Sequence, residues 1–143
     1  QGMVGGQSLD VYLTDKPMDK EQLDYIFRLK TGALIEAAFM AGGILAGCDE
    51  KTQGLLCKAG YNVGFAFQIK DDILDVTSTQ EVLGKPVLSD ERNNKTTYVT
   101  LYGLEKAEKD TYDMSKEAMG IIKSIGHNEY LEELINMLIH RNK

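Results

Sequence analysis

Three observations predict an all-α fold. Apolar residues recur at helical spacing along most of the chain, only two prolines interrupt it, and no stretch alternates apolar and polar residues between turn signals as a half-buried strand would. At 143 residues the chain fits one domain with mass enough for a core. Its 22 acidic against 16 basic residues leave a net charge of −6, which argues against general nucleic-acid binding, since that wants a basic face. No apolar run approaches the roughly 18 residues that span a bilayer, so stable membrane insertion is not expected. Cys48 and Cys57 have no histidine nearby and too wide a spacing for zinc. Reduced, part-buried thiols in a cytoplasmic protein are the expectation.

Taken in order, the chain opens Gln1-Gly2-Met3-Val4-Gly5-Gly6-Gln7, without initiator methionine or polar lead-in. It is therefore expected to be a piece of something longer. Adjacent glycines weaken a helix by roughly 1 kcal/mol each, so Gly5 and Gly6 need a reason, such as close approach of another helix or a ligand. Gln7 and Asp10, at i and i+3, share a face. Thr14 to Met18, with Pro17, reads as a break. Asp19 is a cap candidate for a helix that can run to about Gly47, with Lys30 at one end of a stripe of Leu34, Ala37, Ala38 and Ala41. That stripe either permits tight helix packing or leaves room for something else. A second helix starts at Glu50 or Thr52 and reaches the acidic cluster. The stretch from Leu83 to Lys95, holding Lys85, Arg92 and Lys95, reads as a polar loop. Helix resumes near Thr96 or Thr97, bends at Gly103 and continues over Glu105 to Ile125, with Ala107, Met114, Ala118, Ile121 and Ile122 facing the core. Asn128 caps a last helix whose stripe is Leu131, Leu134, Ile135, Leu138 and Ile139, ending in a basic tail.

The chemistry gathers at Phe67-Gln68-Ile69-Lys70-Asp71-Asp72-Ile73-Leu74-Asp75. At about 100° per residue, Asp71 and Asp75 sit about 40° apart, with Asp72 within about 100° of Asp71. Gln68, Gly64, Tyr61 and Gly60 fall in the same arc. Like charges at i,i+4 repel by roughly 0.2–0.5 kcal/mol, and acids at a helix C-terminus cost roughly 0.3–1 kcal/mol each. A solvated acidic helix end is one account of the cluster. The other is a hard divalent cation; magnesium in particular is held by one or two carboxylates with waters and substrate phosphates.

Val63 to Asp75 resembles the second aspartate-rich signature of the trans-isoprenyl diphosphate synthases, the family of farnesyl and geranylgeranyl diphosphate synthases. Gly5-Gly6-Gln7-x-x-Asp10, Lys30-Thr31-Gly32-Ala33-Leu34, and Gly84-Lys85-Pro86 through Asn94-Lys95-Thr96-Thr97-Tyr98 follow in the family's order. The resemblance implies the isoprenoid-synthase helical bundle around a central cavity. It implies prenyl transfer: an allylic diphosphate condenses head to tail with isopentenyl diphosphate and pyrophosphate leaves. By motif, Asp71, Asp72 and Asp75 would hold magnesium, for which manganese could stand in. Lys30, Lys85 and Gln68 would bind the allylic diphosphate, while Lys30, Thr31 and Gln68 serve catalysis beside the developing cation. Gln7, Asp10 and Lys95 would be further substrate contacts. The Ala37, Ala38 and Ala41 stripe and the glycines before Gln68 are then expected as cavity wall.

The family's first aspartate-rich motif has no counterpart here, since DDxxD occurs once. Residues 1–143 are thus expected to be the C-terminal half of a single synthase domain, inactive alone, partnered by an N-terminal half and homodimeric by family habit. A short-chain synthase is favoured. A terpene cyclase and a non-catalytic subunit of a heteromeric synthase are the alternatives. The cyclase's usual second metal motif is missing, and intact lysine, glutamine and aspartate motifs argue against a pure scaffold.

Overall fold

The computed structural model describes residues 2–78 and 95–141, and it is helical as predicted, with no strand among those residues. Helix α1 covers Met3–Tyr12 and α2 covers Lys20–Phe27; a π-helical turn, Arg28–Gly32, leads directly into α3, Ala33–Leu45. The long α4 runs Glu50–Thr77, the short α5 is Tyr98–Tyr102, α6 is Leu104–Ile125 and α7 is Glu129–His140.

The ends follow local chemistry. Asp19 and Gln22 form a reciprocal capping box at α2, Asp49 caps α4 through the Thr52 N–H, Thr97 and Thr100 form a second box at α5, and Asn128 caps α7. Such caps contribute about 1 kcal/mol each by satisfying otherwise orphaned donors. Gly103, at φ 84°, lets the chain turn from α5 into α6 without steric penalty. The expected single helix from Asp19 to Gly47 is therefore real in extent, but it carries a π turn that spacing alone did not reveal.

α4 is the axis on which the rest is hung; it packs against α3, the π turn, α5, α6 and α7. On one side Phe27, Phe65, Ile69, Ile73 and Tyr98 form an aromatic-rich core, joined from the α1–α2 connection by Leu13 and Met18. On the other, Ala59 and Val63 meet Ala118, Ile122 and Ile135. The predicted core positions Ala107, Ala118, Ile121 and Ile122 are buried, Met114 packs against the core partly buried, and Ile135 is the most buried of the described stripe residues of α7. The side chain of Ile139 lies outside the described set, as do Lys85 and Arg92. Both cysteines are free thiols, and burial together with the Glu36 carboxylate raises the Cys57 thiol above its ordinary range, which keeps it protonated.

One expectation about small residues is corrected. Gly60 and Gly64 do not wall a cavity; they are buried where α4 crosses α3 and the π turn. A Cβ on Gly60 would stand 2.9 Å from the Glu36 Cα, and one on Gly64 would stand 2.7 Å from the Gly32 Cα. The stripe of Leu34, Ala37, Ala38 and Ala41 is exposed in this chain, while the next positions round the helix, Ile35, Phe39 and Gly43, turn toward α4. Close packing thus falls to glycines, one face away from the alanines.

Gly64→Ala should lower the free energy of unfolding by about 1–3 kcal/mol, because the added methyl meets backbone that cannot step aside. Gly54→Ala, exposed on the same helix with nothing within 4 Å, should instead stabilise by about 0.5–1 kcal/mol. Urea unfolding of both variants checks the pair; equal effects would contradict the glycine-crossing account.

Candidate active-site cleft

The sequence of α1 decides how the cleft begins. Gly6 has no side chain, so α1 lies directly on the π turn: a Cβ at this position would be 2.5 Å from the Lys30 backbone nitrogen. One turn later, Asp10 reaches Lys30, whose Nζ donates to Asp10 Oδ2 at 2.6 Å. Lys95 approaches the other carboxylate oxygen, Nζ to Oδ1 3.8 Å. The close approach expected of the glycine pair is therefore that of another helical segment.

Across from these groups runs the second half of α4. Gln68, Asp71 and Asp72 join Asp10, Lys30 and Lys95 around a cleft of about 260 Å³ floored by Leu23, Ile26 and Phe27. The face of α4 that is glycine-lined and packed at Gly60 and Gly64 becomes the cleft lining from Gln68 onward.

The two adjacent aspartates differ in setting. Asp72 is 8% exposed, and its Oδ2 accepts the Tyr98 N–H at 2.6 Å. Tyr98 is itself fixed: its ring lies among Phe27, Phe65 and Tyr102, and its hydroxyl donates to Asp110 at 2.7 Å. Burial and that bond hold the phenol well above its ordinary range. Asp71 is open, with a side chain 40% exposed, and its Oδ1 accepts from Arg141 Nη2 at 2.5 Å. Arg141 also donates to the Phe67 carbonyl at 3.0 Å and lies 3.9 Å over the Phe67 ring.

Of the residues singled out from sequence, Asp10, Lys30, Gln68, Asp71, Asp72 and Lys95 meet at the cleft. Asp75 is not among the cleft-lining residues: it is 2% exposed, beside Asp72, Ile73 and Leu74, which are buried too. Gln7 is exposed on α1 and Thr31 sits in the π turn, both off the cleft lining. Lys85 lies outside the described residues. Sequence reasoning missed Arg141, read only as a helix-end charge, and the Tyr98 N–H; a basic residue after the last apolar stripe carries no local signal of a partner 70 positions earlier.

A divalent cation fits this donor set on its chemistry. Asp71 and Asp72 offer hard carboxylate oxygens, Asp71 already holds a cationic guanidinium, and magnesium is usually satisfied by one or two carboxylates plus waters and phosphates. Among the described residues no three His, Cys, Asp or Glu side chains come together as a complete protein cage.

Comparison with known proteins identifies the family. The polyprenyl synthetase family profile matches residues 1–138. A farnesyl diphosphate synthase of Micrococcus luteus is 41% identical over 143 residues, covering 99% of this chain and 49% of that protein. A crystal structure of a geranyltransferase from Helicobacter pylori, complexed with magnesium and isoprenyl diphosphate, superposes with TM-score 0.77 at 34% identity, over 96% of this chain and 46% of that one. The heptaprenyl diphosphate synthase of Staphylococcus aureus, at TM-score 0.88 but 21% identity over 99% of this chain and 57% of that one, shares the fold. The chain spans about half the length of the curated relatives it matches. A family profile that fits nearly every residue, on a helical bundle that superposes on those synthases, means that the chain belongs to the polyprenyl synthetase family.

Proposed function

We propose that this chain supplies the diphosphate-holding side of a prenyltransferase that joins an allylic diphosphate to isopentenyl diphosphate, head to tail, and releases pyrophosphate. The observation that carries the reading is the convergence of Lys30, Lys95, Gln68, Asp71 and Asp72 on one cleft. Breaking the allylic carbon–oxygen bond leaves its electron pair on the diphosphate, so charge develops where cations are needed. Lys30 and Lys95 would meet that charge with ammonium groups already aimed into the cleft. Magnesium held by Asp71 and Asp72 would add positive charge against the same leaving group. Gln68 presents an amide whose oxygen dipole stabilises a carbocation without being a strong nucleophile. Thr31 lies off the lining, so we give the cation-facing role to Gln68 alone. Asp75 would enter the ligand set only through movement of the last turn of α4.

Each added prenyl unit forms one carbon–carbon bond and loses one proton, and the released pyrophosphate is the base within reach of that proton. The isopentenyl diphosphate site and further carboxylates are assigned to the portion of the relatives' length that this chain does not span. Residues 1–143 alone are accordingly proposed to be inactive, the working enzyme including that N-terminal portion and, by family habit, a second copy. None of the described helices is long and apolar enough to cross a membrane.

The full-length enzyme, given labelled isopentenyl diphosphate and an allylic primer, should yield elongated linear diphosphates. Cyclic hydrocarbons would mean a cyclase, and no product a non-catalytic subunit. Lys30→Ala should reduce kcat/KM by about 10²–10³, the usual cost of removing one donor to developing charge. Chelation should abolish turnover and magnesium restore it. Arg141→Ala frees Asp71 Oδ1 from a charge-assisted bond and should tighten Mn²⁺ binding, followed by electron paramagnetic resonance, about three- to tenfold. Weaker Mn²⁺ binding in that variant would mean that the guanidinium supports the ion rather than competing with it.

A further inference from the structure

We propose that Asp10 is a positioning residue, the shared anchor that holds the ammonium groups of Lys30 and Lys95 at a fixed separation for the oxygens of a diphosphate. This rests on the prenyl-transfer reading and adds to it a role for α1. Each oxygen of Asp10 is directed to a different lysine, Oδ2 to Lys30 at 2.6 Å and Oδ1 to Lys95 at 3.8 Å. The carboxylate is the enclosed member of the trio, 13% exposed against 31% for Lys30 and 37% for Lys95. The lysines come from unconnected parts of the chain, the π turn and the residue before Thr96. Lysine stems are flexible, and a carboxylate that meets both ammonium groups ties their positions to one another. Asp10 supplies one, and Gly6, one turn earlier on the same face, lets α1 come near enough to do it.

The sign of the effect separates this role from two others. A carboxylate between two cations lowers their attraction for any anion. Neutralising it should therefore leave ground-state diphosphate binding unchanged or tighter, while the lost placement slows the step in which charge develops. A residue that bound substrate or metal would behave in the opposite way.

The test uses the full-length enzyme and its Asp10→Asn and Asp10→Glu variants. In Asp10→Asn, kcat should fall at least about tenfold, the scale of a misplaced charged group. The dissociation constant for magnesium pyrophosphate, by calorimetry, should not rise, and the magnesium concentration for half-maximal rate should stay put. Asp10→Glu keeps the charge but adds a methylene, and it should lower kcat as well. In parallel, acetylation of Lys30 and Lys95 by acetic anhydride, read by mass spectrometry, should speed several-fold in Asp10→Asn, as expected for amines released from an ion pair. Unchanged acetylation would overturn the anchor whatever the enzyme's activity. Unchanged kcat, or a tenfold shift in the magnesium requirement, would overturn it too. If the unsubstituted enzyme made no prenyl product, the parent reading would fail while the acetylation result still judged the anchor.

Discussion

The crossing of α4 over the π turn at Gly64 and Gly32 is the contact on which the rest depends. With no Cβ on either residue, the two backbones approach more closely than any side chain would allow. That closeness fixes the angle at which α4 leaves α3, and so decides where Gln68, Asp71 and Asp72 stand relative to Lys30. The π turn has its own part. An extra residue in the turn shifts every later side chain of the helix round the axis, and such turns recur at functional sites. Here Lys30 lies inside it. The glycines of α1 and α4 thus grip the same five-residue segment from two sides, Gly6 at Lys30 and Gly64 at Gly32.

Charge in the cleft is nearly balanced among the described groups. Lys30, Lys95 and Arg141 face Asp10, Asp71 and Asp72. Enclosed charge is costly unless paired, so the cleft is most stable when its own acids and bases occupy each other, as they would before a diphosphate or a divalent cation bound. The pairings differ in setting: Arg141 follows the end of α7, whereas Lys30 lies in the π turn with helix on both sides.

Much of the fold was legible because its signals are local. Asp19 and Asn128 cap as their types and positions predict, and the stripe at Ala107, Ala118, Ile121 and Ile122 faces inward as helical periodicity requires. What could not be read depends on separation in sequence. The same arc of α4 that was expected to be open is packed at Gly60 and Gly64 and lines the cleft at Gln68, and nothing in a glycine's identity says which neighbour it will meet. Of the two readings of the alanine stripe, tight packing does not hold against α4: Ala37, Ala38 and Ala41 are exposed, and Gly43 and Phe39 take that contact. Asp71, Asp72, Lys30 and Gln68, singled out from the sequence, meet at the cleft, but Arg141 and Tyr98 contribute through a guanidinium and a backbone N–H whose partners lie 70 and 26 residues away.

As the proposed metal ligands, the neighbouring aspartates would combine a fixed and an adjustable carboxylate. Asp72 spends one oxygen on the Tyr98 N–H, and Tyr98 is held by three rings and by Asp110, which Lys106 grips at 2.6 Å in turn. The Asp72 carboxylate is thereby tied to the core through α5 and α6. Asp71 has no such tether among the bonds described here; its partner is a guanidinium stacked on Phe67, and its side chain is the more exposed. On the proposed reading both properties would serve: Asp72 would fix where a divalent cation sits, and Asp71 would exchange its guanidinium partner for the cation. An adjacent pair on a helix stands about 100° apart, so both side chains reach the cleft while Asp72 also meets the Tyr98 N–H and Asp71 stays the more exposed.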